Sequence, residues 1–442
     1  MTIQTYDDAV AYLLVRINYE RNPSLADRQA FKLDRMRRLL ALLGDPHDRI
    51  AAVHIAGTKG KGSTAAMIAA ALTAAGHRTG LYTSPHLDRF EERMQVDGAL
   101  PAASEFVAIA NHVAERIAEL EGQGGDSAAT YFEAATAMAW EFFARRGVEI
   151  AVLEVGLGGR LDATNVCRPD VVAITNVSRD HTALLGETPA EIAYEKAGII
   201  KAGVPCVSGV SNPPAAAVVR EVCRERGAAL IEVEGRFRID EPQAERKRQV
   251  TAFAAGQAWG PVAVPLPGRH QAENAAVALH VLDELVRRGH RVTPADAAAG
   301  WAGLEWPARI EVVSRTPTIV LDAAHNWASA GALVRTLDED FTSDRRILLF
   351  AGSREKDVPG MLRCLAPAFH TVVLTAFHNN PRAVPPESLL QIWRSISDRP
   401  AHVFANSDEA FAFCRRIADP ESLICVTGSF FLAAEVRRLA VD

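Results

Sequence analysis

Glycines, lysines and hydroxyls crowd into one short stretch, His54-Ile-Ala-Gly-Thr-Lys-Gly-Lys-Gly-Ser-Thr64. That mixture suits phosphate. Gly57, Gly60 and Gly62 let backbone N–H groups approach phosphate oxygens with no Cβ in the way. Lys61 can reach the terminal phosphates of a nucleoside triphosphate, and Ser63 or Thr64 would lie close to the Mg²⁺ that such a ligand carries. The spacing departs from G-x-x-x-x-G-K-[ST]: Ile55 stands where the first glycine would be, and Gly62 parts Lys61 from Ser63. A plain lysine-bearing glycine turn is the alternative, and the flanks weigh against it. An apolar run over 50–55 precedes the loop and an Ala-rich run over 65–75 follows it. A strand therefore leads in and a helix leads out, with the positive end of the helix dipole facing the loop.

A second set of reactive groups ends other apolar runs. Glu154 closes Ala-Val-Leu-Glu-Val155 and is followed by Gly156-Leu-Gly-Gly-Arg-Leu-Asp162. A carboxylate there can hold Mg²⁺ directly or through water. The same glycines read poorly as a dinucleotide fingerprint, because the acidic residue precedes them and G-x-G-x-x-G is not met. Asn176-Val-Ser-Arg-Asp-His181 ends the next run, and His181 stands open between a hydrogen-bonded loop residue and a ligand. In Glu195-Lys-Ala-Gly-Ile-Ile-Lys201, the spacing makes Lys196 and Lys201 solvated charges at a helix end. Further on, Asp322-Ala-Ala-His-Asn326 puts Asp322, His325 and Asn326 within reach of one site, or of a capped turn. Ser353-Arg-Glu-Lys-Asp357 and Thr427-Gly-Ser429 sit likewise after apolar runs.

The elements that must position these groups alternate. Helices are expected over 7–17 and 28–43, then 103–121, 130–146, 189–201, 214–226, 270–288 and 294–304. Strands are expected over 50–55, 79–83, 150–155, 171–177, 205–210 and 229–233. Residues 1–20 read as an amphipathic helix rather than a signal peptide, and 122–127 as a flexible loop. Such alternation implies a mostly parallel sheet covered on both faces. Residues 237–267 break the rhythm and should form antiparallel strands. A boundary at 303–307 divides the chain into domains of 1–304 and 305–442. The second carries strands over 319–321, 346–351, 371–375, 403–405 and 423–426, a smaller doubly wound α/β domain. Strand-end loops of both would face one cleft around two substrates.

Composition excludes several classes. The 442 residues are 23% charged and 48% hydrophobic, as in ordinary globular proteins. A net charge of −6 argues against non-specific nucleic-acid binding. No apolar run reaches the length of a membrane span. The six cysteines are scattered without a C-x-x-C pair, which fits buried thiols in a reducing cytosol.

Taken in order, these motifs resemble the folylpolyglutamate synthase/dihydrofolate synthase family of the Mur ligase superfamily. The pieces are the phosphate loop, Thr83-Ser-Pro-His-Leu87, Leu153-Glu-Val-Gly-Leu-Gly-Gly-Arg-Leu-Asp-Ala-Thr-Asn165, Asp180-His181, Glu195-Lys-Ala-Gly198, His270-Gln-Ala-Glu-Asn274 and Asp322-Ala-Ala-His-Asn326. The resemblance implies a P-loop ATP-binding domain with a pterin site, followed by a glutamate ligase domain. It implies ATP contacts at Gly57, Gly60, Lys61, Gly62, Ser63, Thr64, Asn274, Arg309 and Asp322, with His325 near the transferred phosphate. It implies Mg²⁺ at Ser84, Glu154, His181 and a Lys196 carboxylated by CO₂. Thr130, Tyr131, Phe132, Glu133, Leu161, Asp162 and Ala163 match folate-contacting segments, and Ser429 a glutamate contact. Lys61, Lys196 and His325 would be the catalytic residues. Three positions depart from the family pattern: Lys59 for a usual Asn, Ala323 for a usual Gly, and Ser178-Arg179 for more apolar residues.

The implied reaction is ATP-dependent amide ligation of L-glutamate to a folate or pteroate carboxylate through an acyl phosphate. The implied protein is a cytoplasmic monomer with small-molecule substrates and neither nucleic-acid nor membrane partners. A cell-wall ligase of the superfamily needs a nucleotide-sugar domain that some fifty residues ahead of the loop cannot supply. A regulatory nucleotide switch lacks an N-K-x-D signature, and a paralogue using a non-folate acid is the third alternative.

Overall fold

β1 (Ala51–Ala56) is apolar without alternation and buried along its length, the mark of a strand covered on both faces. The computed structural model describes residues 3–18, 33–123, 128–240, 247–255, 257–378 and 380–441. Within them β1 lies mid-sheet. The other strands are β2 (Thr79–Tyr82), β3 (Met94–Val96), β4 (Ile150–Glu154), β5 (Val171–Ile174), β6 (Cys206–Ser208) and β7 (Leu230–Glu232). Their order is β3-β2-β4-β1-β5-β6-β7, parallel except for β3. Register puts Ile55 beside Glu154 and Ala56 beside Ile174. The loop leaving β1 therefore emerges between the carboxyl ends of β4 and β5.

Helices Leu33–Leu42, Ala103–Gly122 and Tyr131–Arg145 contribute to the core on one face. Helices Pro189–Ala197 and Pro213–Arg226 extend the core along that same face, to which the register assigns Ala52, Ala56, Ala151, Leu153, Val172 and Ile174 alike. The helix after the loop, Lys61–Ala74, is Ala-rich, and its small side chains let Pro294–Ala302 come very close. A Cβ on Gly300 would lie 2.3 Å from the Ala70 carbonyl oxygen. The buried indole of Trp301 donates to the Met67 carbonyl at 2.8 Å. As expected for 237–267, β8 (Phe237–Asp240), β9 (Gln249–Phe253) and β10 (Ala258–Ala263) form a small antiparallel sheet.

The chain forms two compact units. One comprises Met1–Glu241, Gln249–Val264 and Ala272–Leu304; the other Pro242–Arg248, Pro265–Gln271 and Glu305–Asp442. The second is built on β11 (Glu311–Arg315), β12 (Thr318–Leu321), β13 (Arg346–Phe350), β14 (Thr371–Leu374), β15 (Ala401–Val403) and β16 (Leu423–Thr427). Its order is β11-β12-β16-β13-β14-β15, with apolar clusters on both faces. Arg248, 5% exposed, ties an outlying segment into this unit by pairing with Glu339 and Asp340.

Differences from the sequence reading are local. Helix 7–17 is Tyr6–Leu14, and of helix 28–43 the described part is Leu33–Leu42, with 28–32 outside the described residues. The loop 122–127 falls largely outside them as well. The strand expected at 403–405 lies at Ala401–Val403. Edge strands β3 and β11 carry too short or too polar a pattern to stand out. Among the described residues, no helix is long and apolar enough to cross a membrane, and the cysteines are unbridged.

Candidate active site

Gly60 caps the helix Lys61–Ala74 with φ +79°, a left-handed turn that glycine adopts without strain. Its missing side chain also matters, because a Cβ there would meet the Asn274 Oδ1 at 2.1 Å. A Cβ on Gly57 would lie 1.9 Å from Thr175 Oγ1. The loop is pinned to the end of β5: the Lys59 N–H donates to Asn176 Oδ1 (3.0 Å). The Lys59 carbonyl accepts from Thr175 Oγ1 (2.6 Å) and Asn176 Nδ2 (2.9 Å). Thr175 is a residue that sequence reasoning missed, since a threonine ending an apolar strand carries no signal of its own. Gly62 lies in the first turn of the helix, and Ser63 and Thr64 behind it are 3% and 0% exposed.

A cavity open to solvent lies at this loop, bordered by Gly57, Thr58, Lys61, Asp180, His181 and Lys196. Glu154 stands beside it, 5% exposed, 3.7 Å from Lys61 Nζ and accepting the Ser84 N–H at 3.1 Å. His181 adopts φ +50° at the head of a short helix, and its N–H donates to Asp180 Oδ1 at 3.0 Å. The sequence-level reading of Lys196 as a solvated charge is overturned. Lys196 is 4% exposed and donates to the Gly57 carbonyl at 3.0 Å. Burial, with Lys61 adding to it, lowers its pKa from 10.5 to about 7, against a smaller opposing pull from Asp180. Lys201 is corrected too: the helix ends at Ala197, and Lys201 donates to Asn165 Oδ1 at 2.7 Å. The cause is a close approach of the 157–166 loop, where a Cβ on Gly159 would lie 2.9 Å from the Lys196 carbonyl.

This donor set fits Mg²⁺. Asp180 lines the cavity and Glu154 stands beside it, both offering hard carboxylate oxygens, and the lysines paired with them are cations that a metal can replace.

The folate-matched residues sit close by in the same unit. Thr130 caps the helix Tyr131–Arg145 in a capping box with Glu133. Glu133 also takes both oxygens to the Arg35 guanidinium Nε (3.0 and 2.9 Å), a buried pair. Phe132 packs under Gly156, where a Cβ would fall 2.5 Å from its ring, and Tyr131 has Phe90 edge-on and the Arg93 guanidinium over its ring. Asp162 accepts from the N–H groups of Leu157 (2.9 Å) and Thr164 (3.0 Å), and burial raises its pKa. Leu161 and Ala163 flank it. Beneath them the buried His54 Nε2 meets Thr164 Oγ1 at 2.8 Å, and burial lowers the imidazole pKa to about 3. Arg35 therefore braces the Tyr131–Arg145 helix, and His54 the loop at Thr164.

In the second unit, Asp322 ends β12 and accepts from the N–H groups of Ile310 (3.0 Å) and Ala324 (2.9 Å). Burial raises its pKa to about 6, with Arg309 pulling the other way. His325 Nδ1 lies 2.9 Å from the Ala323 carbonyl, and Asn326 caps the helix Trp327–Asp340. Phe430 gathers the group: the Arg309 guanidinium sits 4.9 Å over its ring, and the His325 ring centroid is 5.8 Å away. Sequence reasoning missed it, as an aromatic after Thr427-Gly-Ser429 reads as core. Ser429 is 3% exposed, and its hydroxyl accepts the Phe431 N–H at 3.1 Å. Arg309, Asp322 and His325 thus converge within one unit, while Lys61, Glu154, His181, Lys196 and Asn274 belong to the other.

Residues 55–282 match the Mur ligase middle domain, and residues 308–430 match the Mur ligase glutamate ligase domain. The chain is 36% identical to a probable bifunctional folylpolyglutamate synthase/dihydropteroate synthase of Haloferax volcanii, over 98% of its own length and 50% of that protein. It is 35% identical to a folylpolyglutamate synthase of Lacticaseibacillus casei over 98% of both. The solved Mycobacterium tuberculosis folylpolyglutamate synthase complexed with ADP superposes with a TM-score of 0.88 at 33% identity, covering 99% of this chain and 98% of that one.

Proposed function

The chain belongs to the folylpolyglutamate synthase/dihydrofolate synthase family of Mur ligases, and on that premise we propose that it ligates L-glutamate to a folate or pteroate carboxylate at the expense of ATP. The γ-phosphate passes to the carboxylate oxygen, ADP leaves, and an acyl phosphate results. The glutamate amine then attacks the acyl carbon, the amide forms, and phosphate departs with the former acyl oxygen.

The observation that carries the reading is the cavity at the phosphate loop, lined by Lys61 and Lys196, with Glu154 beside it at 3.7 Å from Lys61. A carboxylate is a poor electrophile and ATP is polyanionic, so much of the barrier is charge repulsion. Lys61, the loop N–H groups around Gly57, Gly60 and Gly62, and the helix end at Ser63 and Thr64 take up phosphate charge. Asn274 braces the loop at Gly60. Arg309 and Asp322 hold nucleotide in the C-terminal domain, and His325 steadies the phosphate in transfer. Ser84, Glu154 and His181 would hold Mg²⁺, which when bound neutralises the phosphate oxygens. Lys196, as a carbamate, would add an oxygen as the fourth ligand. Its depressed pKa leaves a free amine to attack CO₂, forming an N–C bond and releasing a proton. The 130–133 and 161–163 segments frame the pterin, and Ser429 contacts the incoming glutamate. Residues 1–304 and 305–442 serve as the ATP-binding and glutamate ligase domains of a cytoplasmic monomer that takes small molecules and no nucleic acid.

The test is ADP release and labelled-glutamate incorporation with Mg²⁺, run separately on dihydropteroate and tetrahydrofolate. Glutamate-dependent turnover on either supports the ligase reading. Turnover indifferent to both acceptor and glutamate would leave a nucleotide switch in its place.

A further inference from the structure

Each lysine of the phosphate loop pairs with a carboxylate, Lys59 with Asp180 in the cavity lining and Lys61 with Glu154 beside it, but they are held differently. Lys61 opens a helix and lies 3.7 Å from Glu154. Lys59 sits one residue before the helical cap and pairs with Asp180 Oδ2 at 2.7 Å. Its backbone is fixed on both sides by Thr175 and Asn176. The Cα is therefore held in place, and the four-carbon stem carries the ammonium out to Asp180. Asp180 lines the cavity, and the pair is partly exposed, at 31% for the Lys59 side chain and 15% for that of Asp180. Asp180 is held at its base, because its other oxygen accepts the His181 N–H. An ammonium is a point charge with no fixed fork, so it can trade a carboxylate for a phosphate without losing geometry.

We propose that Lys59 is a second triphosphate-binding lysine, held on Asp180 until nucleotide arrives. This rests on the reading of the cavity as the ATP site and adds a residue to it. Lys59 and Lys61 balance Asp180 and Glu154 while no nucleotide is bound. A triphosphate supplies new partners for both ammonium groups and uncovers both carboxylates in the same step. Asp180 thus competes with ATP for Lys59, which a merely bracing ion pair would not do.

Calorimetric titration with ATP in EDTA separates the two roles. Removing the competitor in Asp180→Asn tightens ATP binding by about fivefold, the upper range for a half-exposed pair. Lys59→Asn weakens it by about the same factor, the double variant behaves like Lys59→Asn, and AMP binding changes far less than ATP binding. Lys59→Arg, which keeps the charge, stays within about twofold of the parent. Thermal melts of all four identify any variant that has lost its fold, and the comparison then rests on the others. The proposal is overturned if Asp180→Asn weakens ATP binding as Lys59→Asn does, or if Lys59→Asn changes nothing. If the parent chain binds no ATP at all, the proposed function falls as well, so the two failures are distinguishable.

Discussion

Lys196 offers a measurement that needs no substrate. Its pKa falls from 10.5 to about 7 on folding, chiefly through burial. Below pH 7 the ammonium is charged in both states, and burying it costs about 5 kcal/mol, from a gap of about 3.5 pH units at about 1.4 kcal/mol each. Between the two pKa values the unfolded chain binds more protons, so stability rises with pH. Going from about pH 7 to about pH 9 should recover about 2 kcal/mol of that cost. Lys196→Met keeps the stem and removes the charge. It also removes the bond to the Gly57 carbonyl, but that loss does not vary with pH. Urea unfolding of both chains at the two pH values, in CO₂-free buffer, isolates the ionisation. The parent should gain about 2 kcal/mol more than the variant on going to the higher pH. Equal gains would refute the claim that a buried ammonium, disfavoured in its charged form, sits beneath the phosphate loop.

Gly60→Ala pushes a Cβ to 2.1 Å from Asn274 Oδ1 at φ +79°; at about 1–2 kcal/mol for the backbone alone, calorimetry should show ATP affinity reduced about tenfold or more with far-UV dichroism unchanged. Glu133→Gln removes the carboxylate charge facing the buried Arg35 guanidinium and should lower unfolding free energy by about 3–5 kcal/mol, much of it restored in Arg35→Met/Glu133→Leu. Trp301→Ala opens the seam between Lys61–Ala74 and Pro294–Ala302, at a cost of about 3–5 kcal/mol in denaturant titration.

What the sequence made legible is what periodicity and punctuation encode. The run before Gly57 and the Ala-rich run after it have one reading, and register between parallel strands then brings Glu154 beside Ile55. Lys196 shows the limit. Helix-end position alone makes a lysine solvated, and only the glycine contacts of residues 159 and 198 bury it. Phe430 and Arg35 escaped for a related reason: they act by packing on other functional groups, and packing partners distant in sequence leave no local pattern. β3 and β11 were missed because an edge strand of a few residues buries too little for apolar alternation to matter.

The parallel run of β1, β2, β4, β5, β6 and β7 divides the first unit into two rims of unequal importance. Every group proposed here to touch nucleotide or metal from those strands leaves by one rim. The turns at 75–78, 146–149 and 202–205, which enter β2, β4 and β6, lie on the other. Strands of three to six residues keep the rims about 10–20 Å apart. A fluorophore, a surface tether or an inserted peptide placed at the entering rim would report on, or immobilise, the enzyme while leaving the reacting atoms undisturbed.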